Sequence, residues 1–263
     1  MNNNQMTNAP IGSVMVVGGG IAGIEASMDL ADAGFYVYLV EKSAAVGGVM
    51  AALDKTFPTN DCSIWILAPR LVESARHANV EIITNATVQE VSGNAGNFSV
   101  KVRKQPRYVD EEKCTACGVC ASYCPVPVPD PYDENLSHRK AIHIPYTQAA
   151  PSAYTVDSQH CLFLNKQECK QCTRTCAAEA INFDQRPEVL TYQVGALILS
   201  PGFSTFNHKR EGVYRYTDSA NIVSGKEFER ICCASGCLLY TSPSPRDHLL
   251  HLVCRLLLEK GGG

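Results

Sequence analysis

Cysteines are the most conspicuous chemical feature of this 263-residue chain, which has thirteen of them. Eight lie between residues 114 and 176, and the first four of these, with the spacing C-x2-C-x2-C-x3-C before Pro125, are Cys114, Cys117, Cys120 and Cys124. Three thiolates in one tight loop can hold three corners of a cubane, and the fourth cysteine of such a run ligates the other cluster in two-cluster ferredoxins. A structural zinc site uses two separated cysteine pairs and has no role for the third cysteine. The spacing therefore predicts a 4Fe–4S site.

The second group of cysteines has a less regular spacing and consists of Cys161, Cys169, Cys172 and Cys176. The last three keep the spacing C-x2-C-x3-C, whereas the seven residues LFLNKQE separate the first from the others, and Ala177 stands in place of the proline. Lengthening a loop adds little closure entropy. We therefore predict that this set binds a second cluster. The alternative is a degenerate copy that binds nothing.

The ligand exchange of two-cluster ferredoxins would give each cluster three cysteines from one motif and one cysteine from the other. The predicted ligands of one 4Fe–4S cluster are Cys114, Cys117, Cys120 and Cys176. Those of the other are Cys161, Cys169, Cys172 and Cys124. The two motifs would then depend on each other.

The charge and composition of the chain limit the classes of protein to which it can belong. The net charge of −3 and the pI of about 6.2 give no reason to expect nucleic acid or an anionic membrane as a partner. No apolar run reaches the ~18 residues of a transmembrane helix, and the polar start MNNNQMTNAPIGS has no basic segment typical of a signal peptide. Many cysteines without an export signal favour metal binding over disulfides, and we expect a cytoplasmic protein.

A strand–helix–strand unit at the beginning of the chain carries a glycine-rich motif. The apolar run SVMVV precedes Gly18, Gly20 and Gly23 in the pattern G-x-G-x-x-G, and the following helical segment closes at Gly34. The next apolar run, FYVYLV, is followed by Glu41, about 20 residues after the glycine motif. An acidic residue at this distance is the context that a dinucleotide site requires. A glycine-rich turn without a ligand is the alternative.

Two further stretches favour FAD over NAD at this site. EKSAAVGG resembles the segment that approaches the flavin side of the cofactor in thioredoxin reductase and glutathione reductase flavoproteins, and VGALILSPGF resembles their closing strand. Ser200 and Pro201 stand where those proteins commonly have Ala-Thr. The predicted FAD-binding residues are Gly18, Gly20, Gly23, Glu41, Lys42, Gly47, Gly48 and Gly202.

The remaining pattern predicts an α/β fold in which a Rossmann-like FAD-binding domain of the two-dinucleotide-binding flavoprotein type carries an inserted α+β two-cluster ferredoxin domain. We predict a helix over 68–78, strands in the runs between 79 and 110, and strands in KAIHIPY and AYTVD. The predicted domains are 10–107 and 187–236 for FAD, with 108–186 inserted. The end of the chain, 237–263, reads as a non-native tail.

Several motifs together resemble the A-type FAD and iron–sulfur subunit of the heterodisulfide reductase family: VVGGGIAGIEASMDLADAG, YLVEK, LDKTFPTNDCS, ILAPRLVE, YVDEEKCTACGVCASYCP, CKQCTRTCAAEAINFDQ and EFERICCASG. The resemblance covers roughly residues 10–236 and implies that the chain is C-terminally truncated. One departure is Trp65, where the family often has a second cysteine after Cys62. Cys62 is then either a buried small thiol or a lone ligand.

The family resemblance implies an oxidoreductase subunit of a cytoplasmic complex in anaerobes, in which FAD splits electron pairs. Its implied partners are other heterodisulfide reductase-like subunits, ferredoxin, and a hydrogenase, formate or NADH-linked electron donor. No protein nucleophile or general base is predicted. Two alternatives are an electron-relay adaptor without its own substrate reaction and the FAD and iron–sulfur small subunit of a glutamate-synthase-like enzyme. In the latter the cluster cysteines precede the flavin motif, whereas here they follow it.

Overall fold

The computed structural model describes residues 12–207, 212–216, 218–219 and 221–233. These residues form two compact units. The first comprises residues up to Met50, Leu67–Val128 and Arg139–Gly202, and the second comprises Ala51–Ile66, Pro129–His138 and the residues from Phe203 onward. The predicted tail, 237–263, lies outside the described residues, and the predicted boundaries of the three domain segments stay predictions.

Strands outnumber helices along the described chain. The strands are β1 (Ser13–Val17), β2 (Tyr36–Val40), β3 (Lys55–Thr56), β4 (Asp61–Cys62), β5 (Val80–Ile83), β6 (Ala86–Asn94), β7 (Asn97–Lys104), β8 (Pro127–Pro129), β9 (His138–Lys140), β10 (Ile142–His143), β11 (Thr155–Val156), β12 (Glu188–Val194) and β13 (Ala196–Leu199). The α-helices are α1 (Ile21–Asp32), α2 (Ser63–Arg76), α3 (Val119–Ser122), α4 (Leu162–Lys166), α5 (Gln171–Thr175) and α6 (Gly225–Cys232). Short 3-10 helices cover Gly48–Ala52, Pro131–Asp133 and Gly212–Tyr214.

A parallel sheet with the order β13-β1-β2-β5 is the centre of the first unit. Met15 and Val16 of β1 are fully buried, as expected for an inner strand covered on both faces. In α1, the residues that face this sheet recur at helical spacing and are Gly23, Ile24, Ser27, Met28 and Ala31. The order, with the crossover helix α1 between β1 and β2, is that of a Rossmann-like fold. The predicted fold class is confirmed.

A second, antiparallel sheet with the order β12-β7-β6 packs its apolar face against the parallel sheet. Val100 and Val102 of β7 and Val194 of β12 are fully buried and share one cluster with Met15. The segment LTYQVGALILSPGF, read as one strand-like run, is two strands in two sheets, because the chain leaves the antiparallel sheet at Val194 and enters the parallel sheet at Ala196. The predicted closing strand is therefore β13 alone.

Two predicted elements differ from the structure. The helix expected over 68–78 begins five residues earlier, at Ser63, and contains Pro69 inside its span. The Ser63 backbone N–H donates to the Asp54 carbonyl at 3.0 Å, which fixes the start of the helix. The strand expected at PRYVD is only an isolated antiparallel bridge between Val109 and Ile181.

The cysteine-rich region of the first unit has little regular structure. A two-stranded sheet there pairs Ile142 with Val156 and His143 with Thr155, which confirms strands in KAIHIPY and AYTVD. The short helices α3 and α5 pack against each other, and each lies within one cysteine motif, where α3 carries Cys120 and α5 carries Cys172. Ile142, Val156, Val109 and Ala180 form a small buried core with the cysteine side chains around it.

Helix α6 holds the second unit together. Ser224 and Glu227 form a capping box at its start. Arg230, almost fully buried, pairs with Asp133 at 3.0 Å and donates to the Ala52 carbonyl at 3.2 Å. Within the described ranges, no helix has the length and apolar character needed to cross a membrane.

Candidate functional site

The glycine-rich turn after β1 is built from close backbone contacts. Gly18 has a φ of +108°, and a Cβ there would lie 2.1 Å from the Ser200 carbonyl oxygen. A Cβ on Gly23 would lie 1.8 Å from the Gly18 carbonyl oxygen, so the first turn of α1 can approach β1 only with glycine there. These contacts give Gly18 and Gly23 the roles of tight turn and close packing that their spacing predicts.

Gly20 differs from the other two glycines of the motif because a Cβ on it would meet no atom within 4 Å. It is the N-cap of α1 and has extended backbone torsions, and no side chain caps the helix. The first N–H groups of α1 are therefore left without a side-chain cap at the positive end of the helix dipole, which is the arrangement that binds a pyrophosphate. This backbone fits FAD.

Glu41, at the end of β2, is almost fully buried and closes the loop around the glycine turn. Its Oε2 accepts from the Gly19 N–H at 2.6 Å, and its Oε1 accepts from the Ser43 N–H at 2.8 Å and from the Ser43 hydroxyl. A carboxylate oxygen can accept two hydrogen bonds. Oε2 therefore keeps one acceptor position for a ribose hydroxyl while it holds Gly19 in place.

The second glycine pair lies directly beside the first motif. The Gly47 N–H donates to the Gly19 carbonyl at 2.6 Å, and Gly20 and Gly47 form a parallel bridge. A Cβ on Gly48, which has a φ of +58°, would lie 2.9 Å from the Gly20 Cα. Residues 41–48, which we call the flavin loop, therefore lie against the glycine turn at both ends.

The two remaining predicted FAD-binding residues, Lys42 and Gly202, lie at the surface. Lys42 is exposed, and Gly202 has a φ of +68° in the exposed turn beyond β13. Sequence reasoning did not assign Ser200, whose carbonyl and Cβ pack against Gly18 and Gly23. Its position, two residues before the turn glycine of the closing strand, is the signal that could have identified it.

The first cysteine cavity contains four thiols from both motifs. It has a volume of about 290 Å³ and is lined by Cys114, Cys117, Cys120 and Cys176. Gly118, with a φ of +82°, allows the loop to turn, and a Cβ there would lie 3.1 Å from the Tyr154 hydroxyl, which also lines the cavity. The Ala180 N–H donates to the Cys176 Sγ at 3.4 Å.

The second cysteine cavity is smaller, with a volume of about 20 Å³, and contains the other four thiols. These belong to Cys124, Cys161, Cys169 and Cys172. Its walls are apolar and include Ile142 and Val156, the residues that pair β10 with β11. The structure thus brings the eight predicted cysteines together in two sets of four, each with three members from one motif and one from the other.

The displaced first cysteine of the second motif is held by regular structure. Cys161 is the N-cap of α4, so the inserted residues LFLNKQE fold into a short helix and a turn. The side-chain amide of Asn165 donates to the carbonyls of Ser158, Gln159 and Cys161 at about 3.0 Å. The insertion therefore has a defined path that returns the chain to Cys169.

Burial disfavours the ionisation of two of these thiols. It raises the pKa of Cys120 to about 12 and that of Cys172 to about 11, because the charged thiolate loses its hydration. Cys117 is exposed, and its pKa is lowered by a hydrogen bond from the Val119 backbone. The two buried thiolates need a positive charge beside them. The iron of a cluster would supply that charge and would displace the thiol protons.

The donor set fits a cluster better than a single ion. The eight cysteines around the two cavities are free thiols. Among the same residues, no three His, Cys, Asp or Glu side chains converge closely enough to hold one metal ion. Four sulfur atoms around a cavity suit a cubane, whose four irons are spread apart, and not a tetrahedral zinc ion.

Cys62 and Trp65 lie apart from any ligand group in the described residues. Cys62 is half-buried in β4, and Trp65 is 81% exposed in α2. Sequence reasoning also missed Arg107 and Tyr146, which contact the flavin loop. A lone arginine directly before the cysteine motif, in QPRYVD, was the available signal for Arg107.

The fold and the two kinds of site define a Rossmann-like flavoprotein domain that carries a 4Fe–4S ferredoxin module. Comparison with protein families agrees: residues 107–130 match the 4Fe-4S binding domain, and residues 13–66 match the family described as glucose inhibited division protein A.

Curated relatives are similar over most of this chain. Over 85% of it, 46% of residues are identical to the A-type iron-sulfur subunit of the CoB--CoM heterodisulfide reductase of Methanocaldococcus jannaschii. Over 84% of it, 45% are identical to the A-type subunit of the H(2):CoB-CoM heterodisulfide,ferredoxin reductase of Methanothermobacter marburgensis, and 50% to an A-type iron-sulfur subunit of the CoB--CoM heterodisulfide reductase of Methanopyrus kandleri. Over this span the chain is similar to A-type heterodisulfide reductase subunits, and it covers 33% of the length of each of these three relatives.

Proposed function

We propose that this chain is the electron-transferring flavin and iron–sulfur part of a heterodisulfide reductase-like oxidoreductase that acts on a sulfur group. It would hold one FAD and two 4Fe–4S clusters. The observation that carries the proposal is that one structural unit contains the glycine turn and both cysteine cavities. FAD exchanges electrons in pairs and the clusters exchange them singly, so the two together would supply conversion between the two modes.

The residues proposed to hold FAD act mainly through backbone. Gly20 and the start of α1 bind the pyrophosphate, and Glu41 orients the ribose. The full set is Gly18, Gly20, Gly23, Glu41, Lys42, Gly47, Gly48 and Gly202. The cysteines of the first cavity would hold one cluster and those of the second cavity the other. Burial of Cys120 and Cys172 keeps water away from the inner side of each.

The names of the relatives suggest the setting of this activity. They are subunits of heterodisulfide reductases, among them the Methanothermobacter marburgensis subunit, which is named with hydrogen and ferredoxin, and one of Methanococcus maripaludis, which is named with hydrogen or formate and with ferredoxin. We propose other subunits of such a complex as partners, ferredoxin as one acceptor, and a hydrogenase, formate or NADH-linked donor. The same proposal includes flavin-based bifurcation and a cytoplasmic location. It also assigns residues 108–186 to the inserted cluster module.

Cofactor content tests the proposal directly. Protein purified without oxygen should contain about eight irons, about eight acid-labile sulfides and one FAD per chain, by the ligand count of two cubanes. Eight irons without FAD would favour an electron-relay adaptor, and about four irons would contradict the second cluster. Photoreduction of the bound flavin should then produce the EPR signal of reduced clusters. The same protein stripped of FAD is the control and should give no such signal.

A further inference from the structure

Arg107 connects the flavin loop to the cysteine-rich region. Its side chain is 4% exposed and lies in the first unit with all of its contacts. The guanidinium donates to the Ala44 carbonyl and to the Thr84 hydroxyl at 2.8 Å. It also donates to the Glu111 carboxylate at 2.8 Å and to the Ala153 carbonyl at 3.1 Å. Two contacts are thus on the flavin side and two on the cluster side.

The flavin-side contact falls inside the flavin loop. Ala44 lies between Glu41 and Gly47, and so between the residue proposed to orient the ribose and the glycines beside the helix start. The same loop has a second attachment, because the Val46 N–H donates to the Ala150 carbonyl at 2.9 Å and the Tyr146 hydroxyl donates to the Val46 carbonyl. The flavin loop is therefore held by residues 146–153, which we call the clamp segment.

The clamp segment continues directly into the walls of the two cysteine cavities. Ala153 is followed by Tyr154, which lines the first cavity, and by β11, whose Val156 lines the second. The Val156 N–H donates to the Arg107 carbonyl at 3.1 Å. Arg107 thus fixes this strand through its backbone and the flavin loop through its side chain.

Arginine suits this position for a chemical reason. Its planar guanidinium presents five N–H donors in a fixed fork and stays charged when buried, whereas a lysine ammonium is a compact point charge without that fork. A lysine at 107 could satisfy some of the four acceptors and could not hold their relative directions.

We propose that Arg107 is a positioning residue that couples the two cofactor sites, so that FAD in its site stabilises the clusters and the clusters strengthen FAD binding. The inference rests on the proposed function, because it requires both cofactors. Coupling between two sites is reciprocal, and coupling energies commonly correspond to about a 5–150-fold change in affinity. The expected coupling is at least about fivefold.

The test measures how fast an iron chelator bleaches the clusters, with FAD at saturation and after FAD has been removed. In the wild type, FAD should slow the loss of cluster absorbance at least about fivefold. Arg107→Gln should bring this ratio close to one, and Arg107→Lys should give a value in between. FAD affinity of the cluster-loaded protein should fall in the same order. Two features of the test separate coupling from general destabilisation. The first is the partial rescue by Arg107→Lys, and the second is the use of the ratio of bleaching rates with and without FAD instead of one absolute rate.

Arg70→Gln is the matched control, because Arg70 is a surface arginine that pairs with Glu25 and Glu73 at 3.0 Å in the flavin domain. It should keep the wild-type ratio. Thr84→Val, which removes one contact and keeps the guanidinium, gives an intermediate ratio and serves if Arg107→Gln does not fold. A wild-type ratio near one, or an unchanged ratio in Arg107→Gln and Thr84→Val, overturns the coupling. Protein without iron or FAD would instead contradict the proposed function.

Discussion

The flavin site and the cysteine cavities are built on different principles. At the flavin site the backbone itself forms the surface, since Gly18 and Gly23 lie in contact with their neighbours and the parallel sheet fixes both. In the cluster module, short helices and loops carry eight thiols, and the small core between them includes the cysteines. Close backbone contacts shape the first region, whereas the proposed clusters would form part of the core of the second.

The sharpest test of the cluster half is a comparison of two double variants. Cys114→Ser alone should lower the iron content from about eight to about four per chain. Adding Cys176→Ser should change nothing further, because both cysteines line the first cavity. Adding Cys124→Ser should remove the remaining iron, because that cysteine lines the second cavity. Iron assay and EPR of protein purified without oxygen give the measurement.

If each cluster took all four of its ligands from one motif, the two double variants would give the opposite result. Cys114→Ser with Cys124→Ser would then retain about four irons, and Cys114→Ser with Cys176→Ser would retain none. FAD content after addition of FAD to saturation is the internal control and should stay near one per chain in the single variant, since the flavin sheet does not contain these cysteines and saturation offsets a loss of affinity.

At the flavin site, two alanine substitutions should separate folding from binding. Gly23→Ala forces a methyl against the Gly18 carbonyl and should lower the free energy of unfolding by about 2 kcal/mol or more, as overpacking does. Gly20→Ala meets no protein atom, so the fold should keep its stability. Its methyl would occupy the space before α1 and should weaken FAD binding about tenfold, or about 1.4 kcal/mol.

Urea unfolding and FAD titration of the deflavinated variants measure the two effects independently. Equal loss of stability in both variants would contradict the open space at Gly20. Unchanged FAD affinity in Gly20→Ala would contradict the placement of the pyrophosphate.

The difference between the two regions also explains what the sequence could predict. The roles of Gly18, Gly20, Gly23 and Glu41 follow from one strand–helix–strand unit, whose contacts depend on local spacing. The pairing of the cysteines was predictable because thiol spacing carries the chemistry of the cluster.

Other features depend on residues far apart in the chain. The bonds of Arg107 to Ala44 and Ala153 join residues more than 40 positions apart, and no local pattern encodes them. The start of α2 was predicted five residues too late, because Ser63 sets it through a contact with the Asp54 backbone that no helical pattern encodes.

The smallest expected difference between the two regions is their response to acid. His143 of β10 is 8% exposed, and its Nδ1 has no hydrogen-bond partner in the described chain. Its pKa is lowered to about 4, mainly by burial and also by the charges of Arg139 and Arg107, while Asp157 opposes them. Because the folded pKa is below the unfolded value of about 6.5, the stabilisation is complete above pH 6.5 and is lost as the pH falls toward 4.

Between pH 7 and pH 5 this titration should lower the stability of the cluster module by about 2 kcal/mol, at about 1.36 kcal/mol per pKa unit. His143→Gln should remove that part of the decrease. Urea unfolding followed by cluster absorbance, in wild type and variant at each pH, gives the difference and cancels the groups that both proteins share. FAD fluorescence reports the other region and should change at higher urea than the cluster signal at pH 5. A wild-type curve parallel to that of His143→Gln would show that His143 is not neutral and buried in the folded module.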